Sequence, residues 1–538
     1  MTGQVLDERL IRIIAYARSG STVRAWADFV AAGFVDVQDD PHIVTVKGRL
    51  LKDRAIGLDG ADRRRWLKAA AGAYADAAEL DPSTYRLINA ASLSFSAGEP
   101  EAARRIAANV LNQLDCDPDE AESAYYRVAT RAEALILLDR RSEAQSAFAE
   151  AIALAPRAWE DHASTLRQFS LILAAKGVEP AWLDAHRPPR SLHFGGHMSF
   201  DPKVVRREHL DKKIAAVLED ENVGFGFGAL AAGADIIIAE ALLARGAELH
   251  AVLSGGAEAF AAVSVDPFGK AWRRRFDAVL DMAESVRPVR PLGARPGAAM
   301  IGLADEVAMG AALMNGRRLE SSAVQLLVLD CAQEANGTSG RSRDIWLAGG
   351  WRQRILRAPR ETRPEPSTSE ADDPAPLAVL AIGLEGQIGE ALTGLQDRLS
   401  SLAAPALPPY LTEDRLILTY SGPGEAAEAA ISLLGEGADL RIGGQYGPAP
   451  TFRDPFSDTL RLAPSATAAA AAALASAPPG TAIVTDDFAA ALAAAGPRRP
   501  ASEYVGELDP PDGGPPVGLY ALKSYDQLFQ PLGGDDGQ

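Results

Sequence analysis

The chain has 538 residues, 47% hydrophobic and 23% charged, with a net charge of −18. Such a length is too great for one core and predicts roughly three domains. The acidic balance, with basic residues only in short clusters such as Arg273-Arg274-Arg275, argues against nucleic acid as a partner. In chain order, MTGQVLDERLIRIIAYARSG carries acidic residues and lacks the apolar run of a signal peptide. No later stretch nears the ~20 apolar residues of a membrane helix, so a cytoplasmic protein without membrane contact is expected. Cys116 and Cys331 lie far apart without metal-ligand spacing, which reads as reduced thiols and no metal site.

Residues 1–185 repeat apolar positions at helical spacing, as in LDERLIRIIAYA, RRRWLKAAAGAYADAAEL and RVATRAEALILLD. AYADAAELDP and AFAEAIALAP match each other, and Leu80 and Leu154 stand 74 positions apart. That is close to two periods of about 34 residues plus a small insertion, the tetratricopeptide signature. CDPDEA at 116–121 suits the insertion, and TYRLINAASLSFSAGEPEAARRIAANVL supplies a helix pair turning at Gly98-Glu99-Pro100. Stacked pairs share a core and leave a concave face, so a protein partner is expected through residues 1–185.

From 190 to 358 the pattern alternates strands and helices. SLHF, NVGFGF, ELHAVL, VQLLVLD and QRIL read as strands, with helices in ADIIIAEALLARG, KAWRRRFDAVLDMAESV and LADEVAMGAALMNGRRL. The alternation implies a doubly wound parallel sheet covered on both faces. Residues 359–376 form a Pro/Ser/acid-rich linker. A third unit of mixed α+β character follows over 377–525, with a disordered tail at 526–538.

Ligands of doubly wound sheets bind beyond the carboxyl ends of the strands. Small-residue turns follow the strands at Gly195, Gly196 and His197, at Gly226, Gly228 and Gly233, at Ser254 and Gly255, and at Asp330, Gly337 and Thr338. Backbone N–H groups in such turns can approach a phosphate that a Cβ would hold off. These eleven, with Asp235, are the twelve candidate ligand-binding positions, and Asp235 also reads as a helix N-cap rather than a catalytic acid. Glu240, five positions on, faces elsewhere. His193 and His197 read as donors to an anion or as structural residues, not as a metal pair. The alternative to a ligand site is that the glycines only make tight turns.

HFGGHM, GFGFGALAAGADIIIAEALLARGAELHAVL and NGTSGRSRDIW resemble the SLOG superfamily, Rossmann-like domains related to cytokinin-activating phosphoribohydrolases and the DNA-processing protein DprA. The resemblance covers 190–358 and implies a nucleotide-derived ligand. The PGGxGTxxE motif of the enzymatic branch is absent, which favours sensing over hydrolysis. KGRLLKDRAIGL and TYRLINAASLSFSAGEPEAA resemble the TRAFs-binding module of MAP kinase kinase kinases, implying an interaction platform.

The third unit resembles a class III nucleotidyl cyclase domain through DRLILTYSGPGEAAEAAISLL, LRIGGQYGPA, DTLRLAPSATAAAA, PPGTAIVTDDFAAAL and YVGELDPPDGGPPVGLYAL. An active cyclase holds two metals with two carboxylates and uses an Asn and an Arg beside them. The resemblance puts Gly383 at the first carboxylate, Asp414 at the second, Arg461 at the Asn and Ser465 at the Arg. It therefore implies a pseudoenzyme with no catalytic residue and no assured cofactor. Cyclase-like domains usually pair, which makes a homodimer a candidate assembly. The whole reads as a signalling sensor for a nucleotide-derived ligand. The alternatives are a nucleoside-phosphate N-glycosidase using Asp235, Glu240 or Asp330, and a scaffold that binds only protein.

Overall fold

The computed structural model describes residues 7–18, 21–116, 123–198, 209–289, 296–330, 337–359, 374–384, 388–412, 414–435, 440–497, 500–509 and 516–524. They fall into two compact units, Met1–Pro188 and Pro189–Tyr525.

In the first unit α1 (Glu8–Arg18) and α2 (Thr22–Ala31) precede packed helix pairs. These are α3 (Pro41–Asp53) with α4 (Gly60–Leu80), α5 (Thr84–Ser96) with α6 (Pro100–Cys116), and α7 (Ala124–Leu137) with α8 (Arg141–Leu154), followed by α9 (Trp159–Ala175). Pro41 suits a first turn, where its missing N–H has no helical partner to lose. Asp40 caps α3 by accepting from the N–H groups of His42 and Ile43 at 2.8 and 3.1 Å. Small residues let the pairs close up. A Cβ on Gly48 would sit 2.8 Å from the Tyr74 ring, and Ala70, Ala77, Ala90, Ala107 and Ala132 are wholly buried. The turn expected at Gly98 joins α5 to α6 with φ +84°, a conformation that favours glycine. Of the expected insertion, residues 117–121 lie outside the described residues.

The second unit contains two sheets. The first comprises β1 (Arg190–Gly196), β2 (Val223–Gly228), β3 (Glu248–Leu253), β4 (Ser285–Pro288), β5 (Ala323–Leu329) and β6 (Arg352–Arg357). Its order is β4-β3-β2-β1-β5-β6 and every pairing is parallel. The central strands are apolar on both faces because helices cover both. The helices are α10 (Leu210–Asp220), α11 (Ala234–Ala244), α12 (Ala257–Ser264), α13 (Lys270–Asp281), α14 (Ala298–Arg318) and α15 (Gly337–Ala348). Charged β6 forms one edge, in keeping with the use of charge to protect an unpaired edge. One expected helix is shorter than the sequence pattern suggested. Its apolar face ends with Trp272, Phe276 and Val279, α13 stops at Asp281, and Ser285–Pro288 pairs with β3 as β4.

The second sheet has the order β14-β15-β13-β10-β7-β9-β8. Its strands are β7 (Pro376–Gly383), β8 (Tyr410–Leu411), β9 (Arg415–Tyr420), β10 (Arg441–Pro448), β13 (Thr481–Thr485), β14 (Ala501–Leu508) and β15 (Val517–Lys523), with β11 (Thr451–Arg453) and β12 (Leu460–Leu462) as a separate ribbon. Helices α16 (Ile388–Ser400), α17 (Pro423–Leu434), α18 (Ala468–Ser476) and α19 (Asp486–Ala494) complete it. Of the linker expected at 359–376, residues 360–373 lie outside the described residues, and Pro376 already belongs to β7. The expected tail, 526–538, also lies outside them.

Helix α14 belongs to the core of both sheets. Met300, Leu303, Ala304 and Val307 pack in one cluster with Leu380, Ile382, Tyr446 and Phe488. The approach to α19 is close: a Cβ on Gly310 would fall 1.7 Å from the Ala490 carbonyl oxygen. Arg287 of β4 reaches across to Asp486, at 2.7 Å, and to Asp487.

Candidate functional site

Because the six-stranded sheet is parallel throughout, the carboxyl ends of its strands share one edge. Ligands of such sheets bind beyond that edge where the strand order reverses. The reversal lies between β1 and β5, which are neighbours although β2, β3 and β4 intervene in sequence. Half-buried Gly195 and Gly196 end β1 there. The His197 N–H donates to the Val328 carbonyl at 3.1 Å, the Ala234 N–H reaches the His197 carbonyl at 3.4 Å, and Met198 bridges to Gly233. Asp330 follows β5, and its carbonyl accepts from Arg357 at 2.8 Å. Gly337, at φ +66°, and Thr338 open α15, while Cys331 and Asn336 lie outside the described residues.

Asp235 stands in the first turn of α11 and is buried. Its carboxylate accepts the Ala231 N–H at 3.2 Å and also the N–H groups of Gly196 and of Asp235 itself. Burial pushes this carboxyl well above the usual range, and Asp305 adds to the rise while the backbone donors oppose it. The structure thus joins Gly196, His197, Gly233 and Asp235 in one network. Ser254 and Gly255 follow β3 on the same edge. Ser254 is 1% exposed, and its hydroxyl has no hydrogen-bond partner among the described residues.

Gly226 and Gly228 serve packing inside β2. A Cβ on Gly226 would meet Leu242 Cδ1 at 2.3 Å, and one on Gly228 would meet the Phe194 carbonyl oxygen at 2.7 Å. The histidines are tied into the protein. His193 is buried, with Nε2 3.2 Å from Asp305 and Nδ1 3.0 Å from Gln325, and it stacks on Trp346. His197 Nε2 lies 3.0 Å from the Ala358 carbonyl oxygen. Asp305, Gln325 and Trp346 carry no local sequence signal, because they reach His193 from three other elements. Glu240 lies further along α11. Its carboxylate is held bidentately by Arg275 at 2.7 and 2.6 Å, in a groove of about 730 Å³ that also includes His209, Asp211 and Arg245.

The opposite edge of the sheet contains a second polar cluster that sequence reasoning missed. Glu221 is wholly buried and is bound by Arg190 at 2.5 Å, Arg352 at 2.8 Å and Arg354 at 2.6 Å. Burial alone would raise this carboxyl, but the arginines hold it below the usual range. The three come from β1 and β6, so spacing around Glu221 gives no hint of them.

In the second sheet, Gly383 pairs with Arg415 across β7 and β9, and the Leu384 N–H donates to the Asp414 carbonyl at 2.9 Å. The two positions aligned with metal carboxylates are therefore neighbours. One has no side chain, and Asp414 is tied to Arg415 at 2.7 Å, which holds its carboxyl below the usual range. Arg461 pairs with Asp454 at 2.6 Å, and Ser465 is exposed. Glu385 and Glu413 lie outside the described residues. Among the described residues, no group of three or more His, Cys, Asp or Glu could hold a metal, and Gly383 offers no carboxylate beside Asp414. Among them too, no helix is long and apolar enough to cross a membrane.

Residues 8–94 match the family model described as Tetratricopeptide Repeats-Sensor, so the helical N-terminal region is tetratricopeptide-like. No curated protein sequence matches the chain. Solved structures similar to part of it include an adenylate cyclase from Trypanosoma brucei, at 13% identity and TM-score 0.24 over 27% of this chain and 89% of that one. The guanylate cyclase domain of RhGC from Catenaria anguillulae is similar at 11% identity and TM-score 0.24, over 29% and 99%. An adenylate/guanylate cyclase/hydrolase from Silicibacter pomeroyi gives 16% and 0.23, over 28% and 97%.

Proposed function

We propose that this protein is a signalling sensor that binds a nucleotide-derived ligand at the carboxyl edge of its six-stranded, SLOG-like sheet and a protein partner through its tetratricopeptide-like helices. The observation that carries the reading is the reversal of strand order between β1 and β5, flanked by half-buried Gly195 and Gly196 at the end of β1 and by His197. The N-terminal helices serve as the interaction platform, in the manner implied by their resemblance to the TRAFs-binding module. The second sheet is a cyclase-homology domain without cyclase chemistry, a reading supported by Gly383 and by the Asp414–Arg415 pair. Helix α14 gives a ligand-induced change a physical route, because it packs in one core with residues of the second sheet.

The N-glycosidase alternative finds less support. Glu240 is held by Arg275 away from the rim, and Asp235, expected as an N-cap, lies inside α11 behind the N-cap Gly233, buried and bound by backbone N–H groups. The test is a thermal-shift panel of mono-, di- and cyclic nucleotides and nicotinamide derivatives on the full chain. A ligand at a hundred times its dissociation constant stabilises by about 2.7 kcal/mol. A panel without any shift would sink the sensor reading and leave the protein-only scaffold. Release of free base from nucleoside monophosphates would instead establish the glycosidase.

A further inference from the structure

The geometry points to the head of α12, not the head of α11, as the seat of the ligand's phosphate, with Ser254 as a direct donor. This rests on the reading of the rim as a nucleotide site. Among the helices that start at this edge after a glycine, α11 and α12 differ in what already fills their N-termini. A helix N-terminus presents N–H groups without intrahelical acceptors and a positive dipole end, both of which favour an anion.

At α11 the chain supplies its own acceptor. The carboxyl of Asp235 takes the N–H groups of Ala231, Gly196 and Asp235, and the Ala234 N–H turns to the His197 carbonyl. A phosphate there would have to displace a buried group of the protein. At α12 no side chain caps the helix, whose N-cap is Gly256. Ser254 stands two residues before that cap, 99% buried by its 1% exposure, with its hydroxyl unpartnered among the described residues. A buried hydroxyl without a partner is costly and calls for an explanation such as a ligand atom. The one acid in the first turn, Glu258, is drawn to Arg273 at 2.5 Å, and Arg273 also reaches Asp266 and Asp277.

The donors here are the Ser254 O–H and the N–H groups of the first turn, Ala257 and Glu258 among them. Such a set can surround the three terminal oxygens of a phosphate monoester, whereas a diester offers two. The ligand class is therefore a nucleotide with a terminal phosphate, in preference to a cyclic one.

The experiment compares wild type with Ser254→Ala, using inorganic phosphate and each nucleotide that binds in the panel. The expected result has two opposite signs. Without ligand the variant melts at the wild-type temperature or slightly above it, because an orphaned buried hydroxyl has gone. With a terminal phosphate nucleotide its affinity falls about tenfold, the loss expected for one hydrogen bond to a charged group. A merely structural serine would not give this split. Unchanged affinity in Ser254→Ala, together with loss in Asp235→Asn, would move the phosphate to α11 and overturn the placement while the rim reading stands. If no nucleotide and no phosphate bound wild type, the placement and the rim reading would fall together. Tighter binding of cyclic than of terminal-phosphate nucleotides would overturn the ligand class.

Discussion

The two edges of the six-stranded sheet treat buried polar groups in opposite ways. At the amino edge Glu221 is wholly buried and is met by Arg190, Arg352 and Arg354. At the carboxyl edge Ser254 is as deeply buried, yet among the described residues its hydroxyl has no partner. Both groups lost water on folding, and only one was compensated within the chain. A sheet that satisfies one edge so fully has the means to satisfy the other. The difference teaches that the amino edge is compensated within the chain, and on the proposed reading the carboxyl edge keeps a donor for a ligand.

Removing the compensated group should have the largest effect. Glu221→Ala leaves three guanidinium groups without their shared anion and is expected to cost about 3 kcal/mol, the low end for a broken buried pair because the arginines are partly exposed. Urea denaturation of the full chain measures it. The pH dependence has a definite sign. The folded carboxyl titrates below its unfolded value of 4.5, so its contribution is complete above that pH and is lost as pH falls through the lower, folded value. Glu221→Gln should flatten that acid limb, and a limb identical to wild type would mean the arginines stabilise nothing.

A glycine comparison sharpens the same contrast. Gly226→Ala should cost about 2 kcal/mol through overpacking, since its Cβ would lie 2.3 Å from Leu242. Ligand affinity, where the variant is folded, should stay at the wild-type value. A stable Gly226→Ala that has lost the ligand would show that β2 lines the site after all.

This pair of residues also shows what the sequence could disclose. All five expected strands of the first sheet are present, because short apolar runs between amphipathic helices leave few alternatives. The rim glycines were legible as a set, but not which of them faces a ligand. A glycine required by Leu242 and one required by a phosphate look the same in a sequence. Nor could spacing reveal the three arginines around Glu221, which come from residues 190, 352 and 354. The strand at Ser285–Pro288 was hidden for a similar reason: Ser285 and Val286, which continue a helical pattern, join a strand because β3 offers an edge to pair with. The packing of α14 against α19 depends on Gly310, and an isolated glycine inside a helical run carries no such message.

The contact between the sheets provides a third, intermediate case. Arg287 faces two carboxyls, Asp486 and Asp487, so a single cation is set against two acids. Burial pushes Asp487 up to about 7, with Arg287 opposing the rise and Asp486 adding to it. The folded state therefore holds a proton that the unfolded chain, with a value of 3.8, releases. The stabilising effect of that proton is present at low pH and is lost as pH rises through 7. Asp487→Asn should remove this slope, which runs between about pH 4 and 7, and gain about 1 kcal/mol at its alkaline end, while Asp486 remains 2.7 Å from Arg287. A slope that persists in the variant would assign the titration to another group.

The smallest effect on stability is expected where the carboxyl edge is most open. A Cβ on Gly195 would meet Leu327 Cδ2 at 3.7 Å, an ordinary contact. Gly195→Ala should therefore change stability by less than about 0.5 kcal/mol. Its expected consequence is functional, because a methyl group on the half-buried end of β1 narrows the rim beside the strand-order reversal. Affinity for a panel nucleotide should fall about tenfold, equivalent to about 1.4 kcal/mol, with the melting temperature of the free protein unchanged. That is the reverse of the Gly226→Ala pattern, stability lost with binding kept. If the two alanine variants behaved alike, the distinction between packing glycines and ligand-facing glycines on this rim would collapse. The strand-order reversal would then no longer locate the site.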